Sequence, residues 1–87
     1  MQGEDIRSIN TDLVLDASDF SSPASFLKTR KVLKNMSEGQ TLKIICSHPG
    51  SMAMISLLTA KESIRLLGML ETDHGEICYY IVKDNHI

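Results

Sequence analysis

One serine, Ser22, occupies a position at which a nucleophilic side chain could do chemistry. Ser22 directly precedes Pro23, which opens a basic, amphipathic stretch. Proline suits the first turn of a helix because it has no N–H to leave unpaired there, and a serine before it can accept a backbone N–H as the N-cap. A cysteine at the same place would be acidified by the helix N-terminus. The sequence therefore predicts a helix start that would activate a thiol, with an alcohol in its place.

Two cysteines are the other candidate nucleophiles. Cys46 ends a predicted strand, in phase with Leu42 and Ile44, and Cys78 lies in the last predicted strand. Two cysteines without close spacing indicate no disulfide framework, so we expect reduced thiols and a cytoplasmic protein. A free cysteine is most often a buried, inert thiol. The alternative for Cys46 is a displaced nucleophile near the start of the first helix.

A Ser-His-Asp arrangement is conceivable from Ser22, His48 and Asp16. The ends of two neighbouring strands would bring their loops to one edge of the sheet, where α/β proteins often bind ligands. No Gly-x-Ser-x-Gly motif accompanies this serine, so a plain N-cap is the simpler interpretation. The three histidines are too dispersed to indicate a metal site. We expect neither a metal nor a cofactor.

The first predicted helix is basic, and no acidic residue occurs over 23–36. Such a charge run is typical of a solvated helix face, and the alternative is a surface that steers an acidic partner protein or RNA. A net charge of -2 and the lack of interleaved aromatic side chains disfavour nucleic acid. The candidate partner-binding residues are Lys28, Arg30, Lys31 and Lys34.

The elements that position these residues follow from hydrophobic periodicity. We predict strands over 13–16, 41–46, 64–71 and 76–83, and helices over 23–36 and 51–62. Phe26, Leu33 and Met36 share one face of the first helix, and Leu27 and Val32 widen that apolar stripe. The order βαβαββ predicts an α/β (α+β) two-layer sandwich, in which two helices cover one face of a four-stranded mixed sheet. The chain divides into a flexible tail (1–11), one domain (12–84) and a C-terminal end (85–87).

The sheet face that carries no helices is predicted to be unusually apolar. Strand alternation places there Ile45, Cys78, Tyr80 and Val82. Scattered exposure of single apolar residues is one interpretation, and a docking surface for a partner or a weak homodimer is the other. No apolar run approaches the roughly 20 residues of a membrane span, and the N-terminus lacks the features of a signal peptide, so no membrane partner is expected.

An ordered set of short motifs resembles a known family, the TusA-like (SirA/YedF) sulfur carriers. The motifs are Leu15-Asp16-Ala17, Ser22-Pro23-Ala24-Ser25, Glu38-Gly39-Gln40-Thr41-Leu42 and Ser47-His48-Pro49-Gly50. The resemblance covers about residues 13–83 and implies a small two-layer α/β fold. It also implies partners in a sulfur relay.

The resemblance implies Cys-Pro-x-Pro at the helix start, with sulfur carried as a persulfide on that cysteine. In this chain Ser22 takes the place of the cysteine and Ser25 that of the second proline, beside the retained Pro23. A serine hydroxyl cannot form a persulfide. We therefore expect a non-catalytic interaction or regulatory member of a sulfur relay. The alternatives are a sulfur carrier that uses Cys46, or less readily Cys78, and a nucleic-acid-binding module that uses the basic helix.

Overall fold

A mixed sheet forms one layer of the fold and two helices form the other. The computed structural model describes residues 11–17, 23–47 and 50–84. Its order confirms the predicted βαβαββ sandwich, and every element ends within one residue of its predicted bounds. The predicted N-terminal tail, apart from Thr11, and the C-terminal end lie outside the described residues. The elements are β1 (Leu13–Asp16), α1 (Pro23–Asn35), β2 (Thr41–Cys46), α2 (Ser51–Lys61), β3 (Ile64–Glu71) and β4 (Ile77–Lys83).

The sheet has the strand order β1-β2-β4-β3. β1 and β2 are parallel, with Leu13 opposite Leu42, and β4 runs antiparallel to both β2 and β3. The Ala17 N–H donates to the Ile45 carbonyl at 2.8 Å and extends the parallel pair beyond β1. Because parallel strands end at the same edge of a sheet, the segments that lead to α1 and α2 leave from neighbouring points.

The core lies between the sheet and the helices. In β2 every second residue is buried, as expected for a strand with one face against helices. Thr29 of α1 is also fully buried, on the same face of the helix as Leu33. The principal core residues are Leu33, Met36, Leu42, Ile44, Cys46, Ile55, Leu58, Tyr79 and Ile81. Within the described ranges, no helix is long and apolar enough to cross a membrane.

The end of α1 is fixed to the end of β4. The buried Lys83 Nζ donates to the Leu33 carbonyl at 2.7 Å, which satisfies a carbonyl of the last helical turn. Gly39 follows with a φ of 90°, a conformation that L side chains rarely adopt, and its N–H donates to the Lys83 carbonyl at 2.8 Å. These contacts position the turn between α1 and β2.

Two expectations about apolar residues are wrong. Leu27 does not widen the core-facing stripe of α1, because it is 60% exposed and lies on the outer side of the helix. Cys78 and Tyr80 do not line a solvent-exposed sheet face, because each is only 4% exposed. Both belong to β4, a central strand with neighbours on either side, and the Lys43 Nζ lies 5.9 Å from the centre of the Tyr80 ring.

Candidate functional site

The candidate site is the sheet edge where β1 and β2 end and both helices begin. Asp16 is exposed at the end of β1, α1 begins at Pro23, and α2 begins at Ser51. No acidic residue occupies the first turn of either helix, so no carboxylate there offsets the positive ends of the helix dipoles. This arrangement follows from the parallel pairing of β1 and β2.

Ser22 and His48 lie outside the described residues, as does the side chain of Ser25. The N-cap role of Ser22 and the arrangement of Ser22, His48 and Asp16 therefore stay predictions. The described structure establishes that α1 begins at the residue following Ser22, as the sequence predicts.

Cys46 lies at the edge, but its thiol faces the core. It is fully buried, in phase with Leu42 and Ile44, which confirms the expected orientation. Burial raises the pKa of the Cys46 thiol from 9.0 to about 11, against a smaller lowering by a hydrogen bond with the Ser51 side chain. The nearby Cys78 and Asp16 raise this pKa slightly further. The thiolate is the reactive form, so this environment disfavours Cys46 as a nucleophile.

Ser51 connects the Cys46 thiol to β4, the strand beside β2. Its Oγ is 2.8 Å from the hydroxyl of Tyr79, and both side chains are essentially inaccessible to solvent. The hydrogen bonds that join the side chains of Cys46, Ser51 and Tyr79 satisfy polar groups that would be costly to bury without a partner. It also attaches the first turn of α2 to β2 and β4, so the hydroxyls act here as structural groups.

The basic face of α1 divides into paired and unpaired charges. Lys28, Lys31 and Lys34 are exposed and have no ion-pair partner among the described residues. Arg30 is different, because its Nε lies 2.8 Å from the Glu62 carboxylate, whose side chain is only 6% exposed. Arg30 therefore ties α1 to the segment after α2. A shallow groove of about 340 Å³ runs along this side of α1, lined by Leu27, Arg30, Lys31, Lys34 and Asn35.

The outer side of α2 is a feature that the sequence reasoning missed. Residues 51–60 contain no charged side chain, yet Met52 and Leu57 are 38% and 41% exposed. A signal was available, because a helix that is apolar all round is normally buried on all sides. Among the described residues, no group of three His, Cys, Asp or Glu side chains could hold a metal ion.

Comparison with known proteins identifies the family. The model of the family described as sulfurtransferase TusA matches residues 13–83. The chain is 44% identical over 72 residues to a sulfur carrier protein TusA of Allochromatium vinosum, covering 83% of this chain and 92% of that protein. It is 33% identical over 78 residues to a putative sulfur carrier protein of Aquifex aeolicus, covering 90% of this chain.

The two relatives differ in length relative to this chain. The match spans 39% of the Aquifex protein, so that relative carries additional sequence. The family match nevertheless extends over β1 to β4. The chain belongs to the TusA family of sulfur carriers.

Proposed function

We propose that this chain is a docking member of a sulfur-relay system that does not itself carry sulfur. In this role it binds a protein partner in the cytoplasm through the basic face of α1, formed by Lys28, Arg30, Lys31 and Lys34. The proposal is supported chiefly by the state of the thiols. The chain has two cysteines, and both are buried.

The sequence resemblance, which aligns Ser22 with the sulfur-carrying cysteine of the family, supports the same proposal. A sulfur carrier needs a thiolate that can attack the terminal sulfur of a donor persulfide while the donor cysteine leaves as a thiolate. Ser22 offers no sulfur atom, and Cys46 is fully buried with a raised pKa. A carrier role for Cys46 would require both exposure and deprotonation of this thiol. No specific observation favours that alternative.

The remaining alternatives are also weaker. A nucleic-acid-binding module is disfavoured because the exposed residues of α1 include no aromatic side chain that could stack on bases. A homodimer through the helix-free sheet face loses Cys78 and Tyr80 as contact residues, since both are buried within the single chain. Size-exclusion chromatography over a range of concentrations tests that homodimer directly.

Sulfur loading tests the proposal. The protein is incubated with a cysteine desulfurase and cysteine, and its intact mass is measured without reductant. We expect no added sulfur on the wild type and one added sulfur on Ser22→Cys, whose new thiol would directly precede α1. Cys46→Ser is the matched control. Sulfur on the wild type that disappears in Cys46→Ser would overturn the non-catalytic role.

A further inference from the structure

We infer that the outer surface of the helix layer, from Leu27 and the lysines of α1 across to Leu57 of α2, is one docking surface for an acidic protein partner. The partner it fits presents an apolar patch flanked by carboxylates. This inference rests on the docking role proposed above and extends the contact surface from α1 onto α2. It does not depend on whether the chain carries sulfur.

The apolar part of this surface lies on α2. Met52 and Leu57 are about two-fifths exposed, and the neighbouring Ala53, Ser56 and Ala60 are exposed and uncharged. An amphipathic surface helix normally turns charged residues to solvent, whereas α2 has none before Lys61. Protein interfaces have apolar centres depleted of charge, which is the composition of this side of α2.

The charged part lies on α1, and a side-chain contact joins the two helices. Lys31 and Lys34 are exposed along the groove that also contains Leu27. The Arg30–Glu62 ion pair at 2.8 Å connects α1 to the end of α2, so the two outer faces belong to one layer. Glu62 neutralises Arg30 and is nearly buried, which leaves the lysines as the exposed charges beside the apolar residues.

Charge identifies the occupant as a different, acidic protein. α1 and α2 together contain no acidic residue. A second copy that packed its own helix layer here would bring lysines and uncharged residues but no helical carboxylate to match Lys31 and Lys34. An acidic partner gains attraction at the rim and buries Leu27 and Leu57 at the centre. A polyanion such as RNA would match the lysines alone and leave the apolar residues without a role.

A peptide probe tests this surface on the full chain. The probe is a fluorescently labelled, amphipathic helical peptide with leucines on one face and glutamates beside them. We expect Leu57→Ser to weaken its binding about fivefold, because the variant removes apolar contact area. We expect the double variant Lys31→Gln, Lys34→Gln to weaken binding to a similar extent, about two- to fivefold, and to reduce its salt dependence.

The chain offers matched controls. Leu67 of β3 is 40% exposed, like Leu57, and Arg65 of β3 carries an exposed cation, so Leu67→Ser and Arg65→Gln should change the affinity less than twofold. Circular dichroism confirms that each variant is folded. Chemical shifts induced by the peptide should cluster at Met52 and Leu57.

Several outcomes would overturn the inference. These are no measurable binding, equal effects of Leu57→Ser and Leu67→Ser, tighter binding of a single-stranded RNA than of the peptide, or a wild-type dimer that Leu57→Ser dissolves. None of these results bears on sulfur loading. Conversely, sulfur on the wild type would overturn the non-catalytic role and leave this surface standing.

Discussion

The reactivity of Cys46 provides a quantitative test of the site. The perturbation is chemical modification of this thiol by a soluble disulfide reagent in the native protein. Cys78→Ser supplies the background, so that the signal comes from Cys46 alone. Native Cys46 is fully buried between the sheet and the helices, where its thiol has a hydrogen bond with the Ser51 side chain.

The expected rate follows from the thiolate population. At pH 8 a thiol with a pKa of 9.0 is about one-tenth ionised, whereas one with a pKa of about 11 is about one-thousandth ionised. The rise in pKa therefore lowers the thiolate population about a hundredfold, which slows modification because the thiolate is the nucleophile. Burial slows it further, since the reagent must wait for an opening of the fold.

The assay compares labelling time courses in native buffer and in concentrated guanidinium chloride. We expect native Cys46 to react at least about a hundredfold more slowly than the unfolded thiol. The reciprocal Cys46→Ser protein reports Cys78 and serves as a control for global unfolding during the assay. A native rate within about tenfold of the unfolded rate would refute the reasoning and reopen Cys46 as a carrier of sulfur.

Three further measurements test how the fold supports this edge. Because the pKa of Cys46 is raised above 9.0 in the native state, the native protein keeps a proton that the unfolded chain loses between about pH 9 and about pH 11. The free energy of unfolding should therefore fall over this range. In urea unfolding, we expect the wild type to lose about 1 kcal/mol more than Cys46→Val by pH 10. Lys83→Met should lower the free energy of unfolding in urea by about 1–2 kcal/mol, because it removes the 2.7 Å hydrogen bond to the Leu33 carbonyl. The control Lys61→Met, at an exposed position, should lower it by less than about 0.5 kcal/mol. Ser51→Ala should lower the free energy of unfolding by about 1 kcal/mol more than Tyr79→Phe does, because it leaves the buried Tyr79 hydroxyl without this hydrogen-bond partner. Equal losses in the two variants would contradict this expectation.

The fold was predictable because its signals are local and mutually consistent. The alternation of Leu42, Ile44 and Cys46, the Pro23 start of α1 and the turn at Gly39 each indicate the same arrangement. Pairing of β1 with β2 followed from the short β-α-β unit. Local agreement of this kind is what gives a sequence a single structure.

The errors concern residues whose environment depends on more than their own element. Leu27 lies on the outer side of α1, where helical periodicity alone could not separate a wide apolar stripe from an exposed residue. Tyr80 alternates correctly for the helix-free face, but it is only 4% exposed there, in a central strand and with the Lys43 Nζ 5.9 Å from the centre of its ring. The Arg30–Glu62 pair joins residues far apart in sequence, and no spacing rule predicts it.

Charge distribution shows why net charge alone is a poor guide to the surface that a partner would meet. The chain carries a net charge of -2, which suggests no strong preference for an anionic surface. Yet the two helices contain none of the acidic residues, and Lys28, Lys31 and Lys34 lie exposed on α1. The field that a partner meets depends on which layer it approaches. The helix layer is basic at one side and uncharged at the other, so a partner that docked there would be selected by sign and by shape, without a reactive thiol.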